Sequence, residues 1–536
     1  MGLFDGLGGE CMGKKNARKV VYLFIFFYLA VNLLTLTDFP FVHSDELWLR
    51  GLTDEMLSKR SFLVTEPFYD LYPRIIHPFR WFFHFLQAGF FLCFGSSVFS
   101  ARLLSLASGA CALLVFHLIM EEQLESKSIA VLCTLALGLN VQFLYSSRFG
   151  RQDMLVMLFL LLNYYFAIKT TSWKKGRAAF LMSMVLLVSI GIHPNSFLIG
   201  LVTAGVLLVQ VLQKKRPFRD FLMLVGITLL GVAFYLIIGY QWNPNLLSSY
   251  FQYGSSLGID AQMTGRLEGF YWYWYKLFHR IGGTYDLFDI RIELVMLAVF
   301  LVLPLRALLK KFANPQGKDG KMFPHVALTC LVGGLLVIGR YNQTAVVFVI
   351  PFVLMMIFSL IDTLSLPWRH SRLAFLSLLA ILIGVSVNLY DDLAEYLANR
   401  PYQTSYETMI SEVDNLVPDD SAVLANLNLV DAFATDEFYD IRNLGYLDPS
   451  GISLQEYIAQ RKIGYIILHE EMEYIHKTSP RWDFLYVNAS YMEELFGYLE
   501  NHTELVGEID NPIYAMRISR YSGTYPWKTR IYKVIP

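Results

Sequence analysis

About eleven apolar runs succeed one another through the first 390 residues, and they constrain this chain more than any motif does. They occupy residues 20–36, 101–120, 129–145, 154–168, 180–192, 197–211, 221–240, 294–309, 326–338, 345–361 and 373–389. A helix needs roughly 17 to 25 mostly apolar residues to cross a bilayer, so most of these runs reach or approach that length. Water offers no stable fold to so much apolar surface. Charged residues make up only 17% of the chain, hydrophobic residues 55%, and the mean hydropathy is +0.43. Soluble domains are about a quarter charged. The sequence therefore predicts a polytopic α-helical membrane protein. A net charge of -1 with no basic stripe excludes a nucleic-acid partner.

Lys and Arg in short connections orient such a bundle, because cytoplasmic loops carry the excess. Lys14, Lys15, Arg18 and Lys19 place the start of the first run inside. Lys169, Lys174, Lys175 and Arg177 agree, as do Lys214, Lys215, Arg216 and Arg219. Arg306, Lys310, Lys311, Lys318 and Lys321, and then Arg369 and Arg372, continue the alternation. The loop starting at Glu121 is inside with little positive charge. A twelfth apolar stretch, 79–94, is rich in aromatics and holds Arg80 and His84, so it reads as a helix lying in the outer interface.

This parity divides the chain into a membrane domain, 1–390, with a large first outer loop at 37–100, and an extracytoplasmic α/β domain, 391–536. In the latter, stretches starting at Ser421, Lys462 and Tyr514 read as strands. Those starting at Ser453 and Tyr491 read as helices.

The outer face collects ionisable groups: Asp45 and Glu46 in the first loop, His77, Arg102, Arg148, Arg151, Asp153, His193 and Arg340. Charge near hydrocarbon is costly, and such groups are commonly functional or paired. Cations beside carboxylates suit a reaction on an anionic lipid, in which the cations hold a phosphate and a carboxylate takes a proton from an attacking hydroxyl. Plainer readings compete: Asp45 and Glu46 as helix caps, Arg148 and Arg151 as snorkelling boundary residues, His193 with Pro194 as a helix break, and the FYWYWY run from Phe270 as an interfacial belt.

Four stretches carry a family likeness: HSDELWLRGLTDEML from His43, IIHPFRWFFHFLQAGFFLCFGSSVFSARLLSLASG from Ile75, YSSRFGRQDMLVMLF from Tyr145, and GRYNQTAVVFVIP from Gly339. They resemble the glycosyltransferase C superfamily, in the branch of protein O-mannosyltransferases and lipid A aminoarabinose transferases. Phe79 and Arg80 depart from that family's His-Pro-Pro-Leu pattern, and the tail does not resemble the β-trefoil of the eukaryotic mannosyltransferases, which points to a bacterial inner membrane. The resemblance implies an integral membrane glycosyltransferase moving a sugar from a polyprenyl-phosphate donor to a hydroxyl of a lipid, glycan or protein acceptor, with inversion. It makes Asp45 the general base and Glu46 its helper. Arg102, Arg148, Arg151 and Arg340 are implied to stabilise the departing lipid phosphate, Asp153 to hold the sugar or an arginine, and His77, His193 and Tyr341 to bind substrate.

The alternative is a transporter or flippase of an anionic lipid-linked substrate, whose charges belong nearer the midplane of matching halves. No cofactor is expected. Cys93, His43, His77, His84 and His193 are scattered over separate segments, which disfavours a transition metal, while Asp45, Glu46 and Asp153 leave Mg²⁺ or Mn²⁺ open.

Overall fold

The computed structural model describes residues 13–169, 176–256, 263–312, 322–338, 342–365, 372–398, 404–434, 437–487 and 490–535. The apolar runs of the sequence fall on helices. In chain order the described helices of the first part are α1 (Lys14–Leu34), α2 (Ser44–Ser58), α3 (Trp81–Phe94), α4 (Val98–Gln123), α5 (Lys127–Gly138), α6 (Val141–Arg148), α7 (Asp153–Lys169) and α8 (Arg177–Ile190). Then come α9 (Phe197–Leu212), α10 (Phe218–Trp242), α11 (Leu246–Ser256), α12 (Met263–Phe278), α13 (Arg291–Phe312), α14 (Phe323–Ile338), α15 (Ile350–Ser365) and α16 (Arg372–Ala398).

By length and composition, five helical stretches among the described residues can cross a membrane: α1, α4, 194–212, α10 and 343–363. The run at 129–145 is two helices, α5 and α6, bent by 59°, and together they make a sixth candidate. The bend has a local cause: Asn140 caps α6, its Oδ1 accepting from the Phe143 amide at 3.1 Å, while its Nδ2 donates to Glu293 of α13 at 2.7 Å. Large apolar side chains stand exposed along α1 (Leu23, Phe26, Phe27, Leu34) and α10 (Leu229, Leu230, Phe234, Ile237). Such faces are stable in lipid and prone to aggregate in water. The protein is a multi-pass membrane protein.

Charge pairs identify the two ends of the bundle. At one end Glu121, near the end of α4, accepts from Arg18 Nε at 3.1 Å and Nη2 at 2.8 Å, with Lys14 3.5 Å away. The start of α1 and the end of α4 thus share a face, and α2 and α3 add no net crossing between them. The acidic loop at Glu121 has little positive charge of its own beyond Lys127, and α1 supplies the rest. Stretch 79–94 is a short 3₁₀ turn followed by α3, whose 14 residues span about 21 Å at 1.5 Å per residue, less than a hydrocarbon core.

At the other end lie Asp45, Arg102, Arg151, Asp153 and the tail. After α16, which runs to Ala398 rather than stopping at 390, come α17 (Tyr406–Asp414), β1 (Ala422–Ala425), β2 (Phe438–Asp440), α18 (Leu447–Ser450), α19 (Leu454–Gln460), β3 (Ile463–His469), α20 (Glu470–Thr478), α21 (Met492–His502), β4 (Thr503–Asp510) and β5 (Lys528–Val534). α16 continues because its polar last turns are held: Asp392 accepts from the Asp289 amide at 3.1 Å, and Tyr396 stacks on Phe41. The sheet order is β2-β1-β3-β5-β4, parallel from β2 to β3 and antiparallel beyond.

The stretch from Tyr514 is not a strand. Tyr514, Ala515, Met516 and Ile518 are buried, which gave the sequence its strand-like look, but side chains rather than a neighbouring strand bind its backbone.

The sheet domain is fused to the first outer loop. Val42, Leu47, Phe68 and Tyr69 share an apolar core with Val423, Ile467 and Ile531. Arg50 forms a forked pair with Asp431, the Asp440 amide donates to Phe68 O at 3.1 Å, and Tyr457 donates to Asp70 at 2.9 Å.

The charge rule predicts that the tail's face is the outer one. Glu125→Cys and Asp419→Cys, in a background without the native cysteines, should label from opposite sides of sealed vesicles with an impermeant maleimide. Labelling from one side would refute this orientation.

Candidate active site

The two adjacent carboxylates of the first outer loop part company in the structure. Both belong to the first turn of α2, where acidic residues favour the helix dipole. His43 caps that turn: its Nδ1 accepts from the Asp45 amide at 3.1 Å, and Glu46 returns the bond by accepting from the His43 amide at 3.1 Å. Successive residues on a helix point about 100° apart. Glu46 therefore faces inward and Asp45 faces the open side.

Glu46 is 1% exposed and fully engaged. Its oxygens accept from Arg102 Nε and Nη2, both at 2.8 Å, and from the Gly150 amide at 2.7 Å. Arg102, wholly buried, also donates to Leu36 O at 2.9 Å. A Cβ at position 150 would lie 3.0 Å from Glu46 Oε1, so glycine permits this close approach. Glu46 caps and anchors; its oxygens do not reach the open side.

Asp45 keeps 16% of its side chain exposed. Its Oδ2 accepts from the Tyr285 hydroxyl at 2.5 Å and lies 3.2 Å from Arg151 Nη1. Burial disfavours its charge, but the Arg151 guanidinium, with smaller contributions from His43, Arg517 and the Tyr285 hydroxyl, outweighs that and holds the carboxyl well below the ordinary carboxylate range. Arg151 stands between two carboxylates, with Nε 3.7 Å from Asp153 Oδ2, and lies over the Tyr285 ring at 4.9 Å. Neither its Nε nor its Nη1 has a well-aligned acceptor. It is near its partners without being locked to them.

His77 and His193 occupy equivalent settings. Each precedes a proline and caps a short 3₁₀ turn, with Nδ1 accepting from the Phe79 amide at 3.3 Å and the Asn195 amide at 3.0 Å respectively. An Nδ1 that accepts leaves the proton of the neutral ring on Nε2. Burial, and then the fields of Arg80 and Arg74, push His77 well below its usual value. Burial, followed by Arg80, Arg151 and His77, does the same to His193. Both rings are neutral donors beside a cationic patch.

The structure brings Asp45, Arg151 and Asp153 together, with His193 in range of Arg80 and Arg151. Arg102 is taken by Glu46. Arg148 is taken by α1, donating to Asn32 Oδ1 at 3.2 Å and to Thr35 O. Arg340 and Tyr341 lie outside the described residues. Sequence reasoning missed Tyr285 and the capping role of His43, whose Nε2 donates to Thr284 O at 2.8 Å. The only local signal was the polar GGTYD turn in an expected outer segment. Among the described residues, no group of three or more His, Cys, Asp or Glu could hold a metal ion.

The helical bundle with its acidic first loop docked on a small α/β domain is a fold shared with solved structures. Two solved structures of ArnT from Cupriavidus metallidurans share it over 96% of this chain. The one bound to undecaprenyl phosphate aligns with a TM-score of 0.58 at 11% identity and over 97% of its own length. The apo state gives 0.54 at 10% identity and 98%. No family model matches the sequence, and no curated protein does.

Removing one member of a buried ion pair strands the other. Glu46→Gln should cost about 3–5 kcal/mol, seen as a lower thermal unfolding temperature in detergent. Asp45→Asn, at the partly open position, should cost clearly less. Equal losses would contradict this division of roles.

Proposed function

We propose that this protein is a membrane glycosyltransferase that takes a sugar from a polyprenyl-phosphate donor and passes it to a hydroxyl of a lipid, glycan or protein acceptor at the outer face, with inversion. The observation that carries the reading is the partly open Asp45 carboxylate, held beside a loosely paired Arg151 while Glu46 next to it is fully consumed. The fold shared with a protein that binds undecaprenyl phosphate supports the choice of donor.

The chemistry follows from these positions. The acceptor oxygen attacks the anomeric carbon from the side opposite the phosphate, Asp45 receives its proton, and the carbon–oxygen bond to phosphate breaks with the electron pair leaving on the lipid phosphate. In the resting protein Arg151 depresses the basicity of Asp45. Drawn toward an arriving phosphate, with which guanidinium pairs well, Arg151 releases the carboxylate to act as base and stabilises the departing charge. Neutral Nε2–H groups of His77 and His193 add hydrogen-bond donors, and Asp153 holds Arg151 or a sugar hydroxyl. Arg102 and Glu46 position the loop, and Arg148 fixes the end of α1. Ionisable groups gathered at one face favour transfer there over transport through the midplane.

Three outcomes test this reading. Asp45→Asn should abolish turnover of a labelled undecaprenyl-phosphate sugar by the purified protein while isothermal titration still shows donor binding. Near-normal turnover would remove Asp45 from its role.

Arg151→Gln takes away the largest influence lowering the Asp45 pKa and leaves burial, which raises it. Asp45 is then protonated at higher pH, so the acid limb of kcat/KM should move upward, alongside a fall in kcat of about 10²-fold or more. An unmoved acid limb would separate Arg151 from the base.

Treatment with EDTA should leave activity intact, because guanidinium supplies the charge at the phosphate. Loss restored by Mn²⁺ or Mg²⁺ would reassign Asp45 and Asp153 as metal ligands.

A further inference from the structure

The segment from Ala515 to Arg520, between β4 and β5, pairs with no strand, yet its backbone is secured at almost every residue. Asn426 Nδ2 donates to Ala515 O and Asn428 Nδ2 to Met516 O, each at 3.2 Å. Glu471 accepts from the Arg517 and Ile518 amides, each at 3.1 Å. Ala515 is held at φ 61°, a left-handed conformation unusual for a residue with a Cβ. The Ser519 hydroxyl and the Arg520 amide then donate to Gly283 O at 3.3 and 3.2 Å. Two residues beyond Gly283 is Tyr285, whose hydroxyl bonds Asp45. The tail is thus strapped to the loop that holds the general base of the proposed reaction.

Arg517 sits in the middle of this strap. Its Nε is buried without a hydrogen-bond partner, and among the described residues no carboxylate forms an ion pair with its guanidinium. Its charge favours the ionised form of buried Glu471, but among the described residues the two make no ion pair. The Glu471 oxygens are used by the two amides and by the Tyr486 hydroxyl at 2.7 Å. A guanidinium with an unmet donor costs free energy unless a ligand satisfies it. The charge of Arg517 is felt at Asp45, His43 and Tyr69 as well as at Glu471, Tyr486 and Tyr491 inside the tail.

We propose that Arg517, delivered by the tail, is a substrate-binding residue of the outer site that contacts the phosphate of the polyprenyl carrier. The inference rests on the donor class proposed above and adds a residue from a different part of the chain. The tail then completes the site, and the strap from Ala515 to Arg520 sets the distance between Arg517 and Asp45. Arg151 and Arg517 would approach the phosphate from the bundle and from the tail respectively.

The test compares two probes on the purified full-length protein in detergent, undecaprenyl phosphate and undecaprenol, so that only the contribution of the phosphate is read. Wild type should prefer the phosphate. Arg517→Gln should lose about tenfold of that preference, Arg517→Lys should retain part of it because the charge stays while the fork is lost, and Arg151→Gln serves as reference. Because preference is a ratio within one variant, a lower unfolding temperature acts on both probes alike and does not imitate the effect. An undiminished preference in Arg517→Gln, with loss in Arg151→Gln, overturns this inference and leaves the proposed function standing. No preference in the wild type overturns both.

Discussion

The buried pair between Glu46 and Arg102 is the constraint on which the outer half of this protein depends. Taking two charges out of water is expensive, and the cost is met only when geometry and further hydrogen bonds satisfy both groups. Here the guanidinium meets the carboxylate at two points, and the Gly150 and His43 amides and the Leu36 carbonyl supply the rest. Four segments meet at this one pair: the chain just after α1, the cap and first turn of α2, the start of α4, and the turn between α6 and α7. If it shifted, the spacing between Asp45 and Arg151 would shift too, because each lies within a residue of one of its bonds.

That arrangement also explains how one short stretch serves both structure and chemistry. A helix turns about 100° per residue, so the side chains of neighbouring residues diverge. The capping interpretation of the acidic pair holds for Glu46, and the proposed catalytic role falls to Asp45. Glu46 closes the capping box and anchors the loop, and Asp45, displaced by one residue, is left in front of the arginine on the open side. The same economy appears at His77 and His193, where one ring nitrogen ends a helix break and the other is free to donate.

The tail belongs to this site as much as to its own sheet. Its core is continuous with that of the first outer loop, and its strap fixes the loop bearing Tyr285. Small sheets are marginal when left alone, and this one is covered on one side by the outer loop that presents Asp45. Folding of the tail and assembly of the candidate site are therefore coupled, which gives a physical reason for an α/β domain next to it.

Hydropathy and charge alone established the solvent in which this chain folds, the positions of its apolar helices, the gathering of ionisable groups at one face and the acidic pair at its centre, because each of these depends on residues close together in sequence. The division of labour among the arginines did not show there. Arg102, Arg148 and Arg151 look alike along the chain, and only packing gives one to Glu46, one to the end of α1 and one to Asp45. Tyr285 reaches Asp45 from 240 residues away, without a motif to mark it, and the proposed part of Arg517 comes from farther still along the chain. The strap was misread as a strand for the same reason: burial leaves its trace in a sequence, but the partner that takes up a buried backbone amide or a buried charge is chosen in three dimensions, by whichever group the fold brings within hydrogen-bonding distance.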